Sequence, residues 1–118
     1  MLRTFTYARR ATIEGRSDGE SDSFNAWFSA HPYAVLSAAF TDLGVSGLLP
    51  GPRRSGFGAL LAAIDRDSPD FVLLMRWADL GRDPIVSQHA RRQLEARGVV
   101  LLSATEPALD LADVRPSA

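Results

Sequence analysis

Arginines recur where extended runs give way to loops or helices: Arg9 and Arg10 after Thr4–Tyr7, Arg53 and Arg54 ahead of a helical stretch, Arg76 and Arg82 after Phe71–Met75. Asp42, Ser46, Asp79 and Glu106 stand near them in the same connecting segments. A guanidinium is a planar, permanently charged fork that matches phosphate and carboxylate geometry alike, so arginines converging on one edge would recognise an anion. The same residues could instead be solvated surface cations, each paired with a neighbouring acid. Their spacing does not choose between the two.

Composition removes several other chemistries. There is no Cys, so disulfides, thiolate nucleophiles and Cys-ligated metals are excluded. All 13 basic residues are Arg, which rules out a Schiff-base lysine and a phosphate-loop lysine. His31 and His89 are far apart and lack metal-ligand spacing, so neither a metal nor a cofactor is expected. Net charge is −1, which is no polycation signature, and any contact with nucleic acid must be local. No apolar run approaches the roughly 20 residues that span a bilayer, and no signal-peptide core follows Met1. The expectation is a cytoplasmic protein without membrane contact. Its 118 residues, 46% of them apolar, fit one domain with a real core.

The elements that must position these residues read as follows. Leu2–Tyr7 is rich in Thr, Phe and Tyr and suits a half-buried strand. A polar stretch, 13–20, follows and either closes over a site or is simply mobile. Ser21, Asp22 or Ser23 can cap a helix with Phe24, Trp27, Phe28 and His31 on one stripe, ended by Pro32; the stripe is expected to be core and His31 a helix-end residue. Tyr33–Phe40 gives a second strand, and 41–55 an irregular connection broken by glycine and proline. Phe57, Leu60, Leu61 and Ile64 share one face of a second helix, and Phe71–Met75 is an unbroken apolar run of the kind buried on both faces of a sheet. A third helix starts with Asp83 as N-cap and Pro84 at the first turn, runs to about Arg97 and stops at Gly98; Val99–Ser103 is the last strand. Strands alternating with helices predict a three-layer α/β/α fold with a mainly parallel four-stranded sheet. Right-handed crossovers bring the C-terminal strand ends, and with them the arginines, to one edge, where open α/β sheets hold ligands.

Several short motifs, in order, resemble the catalytic domain of the serine site-specific recombinases, the resolvase/invertase group. Tyr7-Ala8-Arg9 is similar to that family's Tyr-x-Arg-x-Ser signature, and Asp42-Leu43-Gly44-Val45-Ser46-Gly47 to its Asp-x-Gly-x-Ser-Gly loop. Arg54-Ser55-Gly56-Phe57 resembles Arg-Pro-Gly-Phe at a helix start, and Leu80-Gly81-Arg82-Asp83 the second half of Asp-Arg-Leu-x-Arg-Asp. The stretches 94–99 and 103–107 resemble the close of the domain, so 1–107 is assigned to it and 108–118 to a tail that begins a truncated C-terminal helix or is disordered. In the family a serine oxygen attacks a DNA phosphodiester while arginines stabilise the charge at phosphorus without metal. The resemblance makes Tyr7, Arg9, Ser46, Arg54 and Arg82 the phosphate- or DNA-binding candidates.

The departures are chemical. Ala11 stands where the family has its nucleophilic serine, and Ala78-Asp79 where it has Asp-Arg, so an arginine position carries an acid. Unit charges 4 Å apart interact by roughly 4 kcal/mol at an effective dielectric near 20, so an inward Asp79 would oppose what an arginine attracts. Thr12 and Ser17 are poor substitutes, because a one-residue shift at a strand end reverses the side chain and Ser17 would have to fold back from a loop. The resemblance also implies that the family's long dimerisation helix and DNA-binding module would follow the present C-terminus. Three readings are open: a degenerate, inactive recombinase domain acting as accessory partner of an active homologue or surviving as a mobile-element remnant; a free-standing interaction domain that binds an anion or nucleotide; and an active strand-transfer enzyme with a displaced nucleophile. Partners follow from these: DNA, held weakly, a recombinase homologue, or a second copy in a homodimer.

Overall fold

β1, Leu2–Arg10, is the strand from which the sheet grows in both directions. In a computed structural model, which describes residues 1–10, 18–43 and 55–106, it is followed by α1 (Asp18–Ala30), β2 (Ala34–Leu43), α2 (Ser55–Asp67), β3 (Phe71–Leu74), a single 3-10 turn (Trp77–Leu80), α3 (Pro84–Glu95) and β4 (Val100–Ser103). The strand order is β2-β1-β3-β4 and each pair is parallel. The expected α/β architecture is therefore the observed one.

The order explains the layering. The chain leaves β1 for β2 on one side, then crosses back over β1 to β3 and β4, so right-handed crossovers place α1 on one face and α2 with α3 on the other. Side chains alternate accordingly. Phe5, Tyr7, Val72, Leu74 and Leu101 pack with Phe57, Leu60, Leu61 and Ile64 of α2 and with Ala90 and Leu94 of α3 in one cluster. Thr4, Thr6, Ala8 and Leu73, the intervening residues, are buried as well. The predicted stripe of α2 and residues 72–75 of the apolar run are thus core, while Phe71 at the start of β3 is half-buried.

Four elements differ from their sequence reading. β1 runs three residues past Tyr7 to Arg10, and Thr4–Arg9 are buried on both faces rather than one, because the strand is central in the sheet with helices on either side. α1 begins at Asp18, ahead of the expected caps, and its Phe24, Trp27 and Phe28 are only half-buried. The reason is position: α1 lies by β2, at the sheet's edge, where Val35 and Leu36 are themselves exposed and little surface remains to cover the stripe. The aromatics instead form a row, with Trp27 stacked on His31 (ring centroids 4.0 Å apart), His31 edge-on to Tyr33 and Tyr33 edge-on to Phe71. His31 does close the helix, its Nδ1 lying 2.7 Å from the Trp27 carbonyl oxygen. β2 runs on through Thr41, Asp42 and Leu43, which sequence alone put in the connection, because β1 is long enough to pair with them. α3 ends at Glu95, two residues early, and turns out through Gly98, whose φ of +80° is the left-handed conformation a helix stop needs. Its start is as predicted, with the Asp83 carboxylate accepting from the Ile85 N–H at 2.7 Å and Pro84 in the first turn.

Candidate functional site

The order β2-β1-β3-β4 puts a topological switch point between β1 and β3, where successive connections leave the sheet on opposite faces and a crevice opens at the C-terminal strand ends. β1 overruns β3 here. Tyr7 pairs with Leu74, the last residue of β3, and Arg9 lies two residues further on, beside Asp42 of β2. The overhang carries the Arg9 side chain over the 3-10 turn.

Arg9 is only 7% exposed, and its Nη2 donates to the Ala78 carbonyl at 3.1 Å. Asp79, 1% exposed, faces back toward it. The Asp79 carboxylate accepts from the Arg76 N–H at 3.2 Å and from the Arg9 backbone N–H. Burial pushes its pKa from 3.8 up to about 6; these two amide bonds and the charges of Arg76 and Arg9 act the other way and keep the rise from being larger. Asp79 therefore does point inward, as a link between the end of β1 and the start of the turn.

A second carboxylate organises the neighbouring strand. Asp42 is buried and accepts three bonds: from the Tyr7 hydroxyl at 2.6 Å, and from the Gly56 and Phe57 N–H groups at 2.7 and 2.9 Å. The last two are orphan donors of the first turn of α2, so β2 caps a helix that starts 12 residues after it ends. A negative charge at a helix N-terminus is also favoured by the macrodipole. Tyr7 packs edge-on against Phe57, with ring centroids 5.4 Å apart. Gly56 is required by this closeness: a Cβ there would collide with the Thr41 carbonyl oxygen and lie 2.8 Å from Asp42 Oδ1.

The segment after β3 is held from below by residues after β4. Ser103 Oγ and Thr105 Oγ1 both donate to the Met75 carbonyl, at 3.2 and 2.7 Å. Ser103 Oγ accepts in turn from the Thr105 and Glu106 N–H groups, and the Glu106 carboxylate accepts from the Trp77 N–H at 2.7 Å. Thr105 and Trp77 were not singled out from the sequence; the Ser-x-Thr-Glu spacing after an apolar strand is the signal that could have found them.

Of the sequence candidates, Tyr7, Arg9 and Asp79 are brought together with Asp42 at this rim, and Arg82 follows the 3-10 turn as an exposed side chain at the start of α3. Tyr7 is fully buried, with its hydroxyl on Asp42, so it supports the rim from beneath. Ala11, Ser46 and Arg54 lie outside the described residues, as do Arg53 and most of the polar stretch between β1 and α1. Among the described residues no group of three or more His, Asp or Glu could hold a metal ion, and no helix is long and apolar enough to cross a membrane. The donors on the rim, guanidiniums and backbone amides, are chemically suited to an oxyanion.

Comparison with known proteins agrees with this architecture. The family model described as resolvase, N-terminal domain, matches residues 4–116. Among solved structures, the N-terminal catalytic domain of TP901-1 integrase is similar with a TM-score of 0.77 and 21% identity, over 98% of this chain and 93% of that one. The C-terminal catalytic domain of ISC1926 TnpA, an IS607-like serine recombinase, gives 0.72 and 20%, over 98% and 79%. A resolvase family site-specific recombinase from Streptococcus pneumoniae gives 0.70 and 19%, over 99% and 85%. At these identities the structures speak for the fold. Among curated proteins, none matches the chain.

Proposed function

The chain belongs to the family of resolvase N-terminal domains, the catalytic-type domain of serine site-specific recombinases, and we propose that in it the strand-cleaving step has been lost while the phosphate-handling scaffold is kept. The observation that carries this reading is Ala11, two residues beyond Arg9 in the Tyr-x-Arg-x-Ser pattern. A methyl group has no lone pair with which to attack phosphorus, so no phosphoserine link can form at that position. Asp79 supports it from the other side. A position that in the family's motif is cationic here carries a buried acid, turned onto Arg9 and Arg76, which lowers the positive charge available to a phosphorane-like transition state. Asp42, Tyr7 and the capped start of α2 are the kept part: they hold the helix that Arg54 immediately precedes in sequence.

A domain that holds DNA phosphates without cutting them acts through others. Its role in this reading is that of accessory partner to an active recombinase, associating weakly with DNA by itself. The test is incubation with supercoiled DNA containing candidate sites, followed by a search for a covalent protein–DNA adduct. None is expected from the unaltered chain, and an adduct would overturn the reading in favour of a displaced nucleophile. Light-scattering mass measured with and without an active homologue tests the accessory role, which fails if no mixed species forms.

A further inference from the structure

Two carboxylates are buried among the described residues, and they are used differently. Asp42 is taken up by the Tyr7 hydroxyl and the first turn of α2. Asp79 is set between two arginines, Arg9 from β1 and Arg76 from its own segment, and it accepts the backbone N–H of each while both guanidiniums act on its charge. Backbone amide N–H groups turned onto one oxyanion, with guanidinium charge nearby, are a partner set by which proteins bind phosphate. Here the oxyanion is already supplied by the chain.

We infer that Asp79 is an internal counter-ion: its carboxylate occupies the donors that Arg9 and Arg76 would offer to an external phosphate, and a phosphate group at this rim must compete with it. The inference rests on the reading of the rim as a phosphate-holding surface and says what sets its affinity. Its geometry is specific. Arg9 is fixed over the turn by the Ala78 carbonyl, and Asp79 follows Ala78 directly, so guanidinium and carboxylate are held on one short stretch of backbone. The adjacent amide, that of Trp77, is taken by a second acid, Glu106. The amides of both Arg76 and Trp77 are thus already occupied by the chain's own carboxylates. A DNA phosphodiester carries one charge, as a carboxylate does, and meets Asp79 on equal terms, whereas inorganic phosphate, largely dianionic at neutral pH, competes better and is therefore the probe of choice.

Asp79→Asn keeps the shape and an amide acceptor but removes the charge, and Asp79→Ser is a second neutral variant that still offers an oxygen to the Arg76 N–H. Trp77, two residues away, reports binding by fluorescence. Inorganic phosphate is titrated into the unaltered chain and both variants at pH 7.5 and low salt, with circular dichroism to show that each is folded. The neutral variants are expected to bind at least about tenfold more tightly, with a gain that shrinks as salt is added. Equal or weaker binding by the variants, with phosphate still bound by the unaltered chain, overturns the inference and leaves the phosphate-holding reading standing. Absence of phosphate and DNA binding by all three overturns both. A measurement on the unaltered chain needs no variant: the Asp79 carboxyl carbon resonance should move at saturating phosphate, and an unmoved resonance with phosphate bound also overturns the inference.

Discussion

Replacing Asp42 with Ala should uncouple α2 from the sheet. The carboxylate accepts one hydroxyl and two amide bonds, all between 2.6 and 2.9 Å, and the two amides are orphan donors of a helix start. Loss of an N-cap acceptor costs about 0.5–2 kcal/mol, and a buried donor left without a partner about 1–3 more. These terms overlap, because water can reach the half-buried Gly56 N–H but not the Phe57 N–H or the Tyr7 hydroxyl. The expected total is therefore about 2–4 kcal/mol. Asp42→Asn should cost less, about 1–3 kcal/mol, since one oxygen is retained but the amide NH2 must face a backbone N–H. Tyr7→Phe removes one charge-assisted bond and should cost about 1–2 kcal/mol. Urea unfolding is the assay. With a slope of about 2 kcal/mol/M, Asp42→Ala should lower the midpoint by about 1–2 M. The double mutant adds a stricter check: once Asp42 is gone, Tyr7→Phe should cost almost nothing, because the two share one bond. If Asp42→Ala falls within about 0.5 kcal/mol of the parent, the size of an ordinary surface change, the carboxylate does not hold the helix and the reasoning is wrong.

Gly56→Ala should be destabilising by about 1–3 kcal/mol, against the direction of helix propensity, because the added Cβ meets the Thr41 backbone carbonyl, which cannot move without breaking the β1–β2 pairing; a raised urea midpoint would refute this. Asp79 gives a pH signature of unusual sign. Its folded pKa, about 6, lies above the ordinary 3.8, so the folded state holds a proton that the unfolded state has released. Stability from this group is complete below pH 4 and is lost as pH rises through 6, by up to roughly 3 kcal/mol. Subtracting the stability curve of Asp79→Asn from that of the parent should leave a fall between pH 4 and 6 and a plateau above; a flat or rising difference refutes it.

How much of this was legible beforehand depends on whether the signal is local. Phe57, Leu60, Leu61 and Ile64 were readable as the buried face of α2, Asp83-Pro84 as the start of α3 and Gly98 as the left-handed turn beyond its end, because a periodic stripe, a cap and a left-handed stop are properties of a few consecutive residues. The stripe Phe24, Trp27 and Phe28 has the same spacing yet is half-buried, since periodicity says that a face is apolar but not how much sheet lies opposite it. Asp42 shows the limit most clearly. Helix caps are sought immediately before the helix, whereas this one arrives from the neighbouring strand through the β1–β2 register.

The sequence by itself determined the alternation of strands and helices and the family through its ordered motifs, and the proposed loss of the nucleophile rests on the sequence alone, on Ala11 in the Tyr-x-Arg-x-Ser pattern. Only the tertiary structure decided that Asp79 turns inward onto the backbone of Arg9 and Arg76, that Arg9 lies beneath the surface, and that Tyr7 serves Asp42. Residue type fixes which charges a chain carries. Which donor each acid faces, and how far its pKa moves, depends on burial and on strand register, and these exist only once distant segments have been brought side by side.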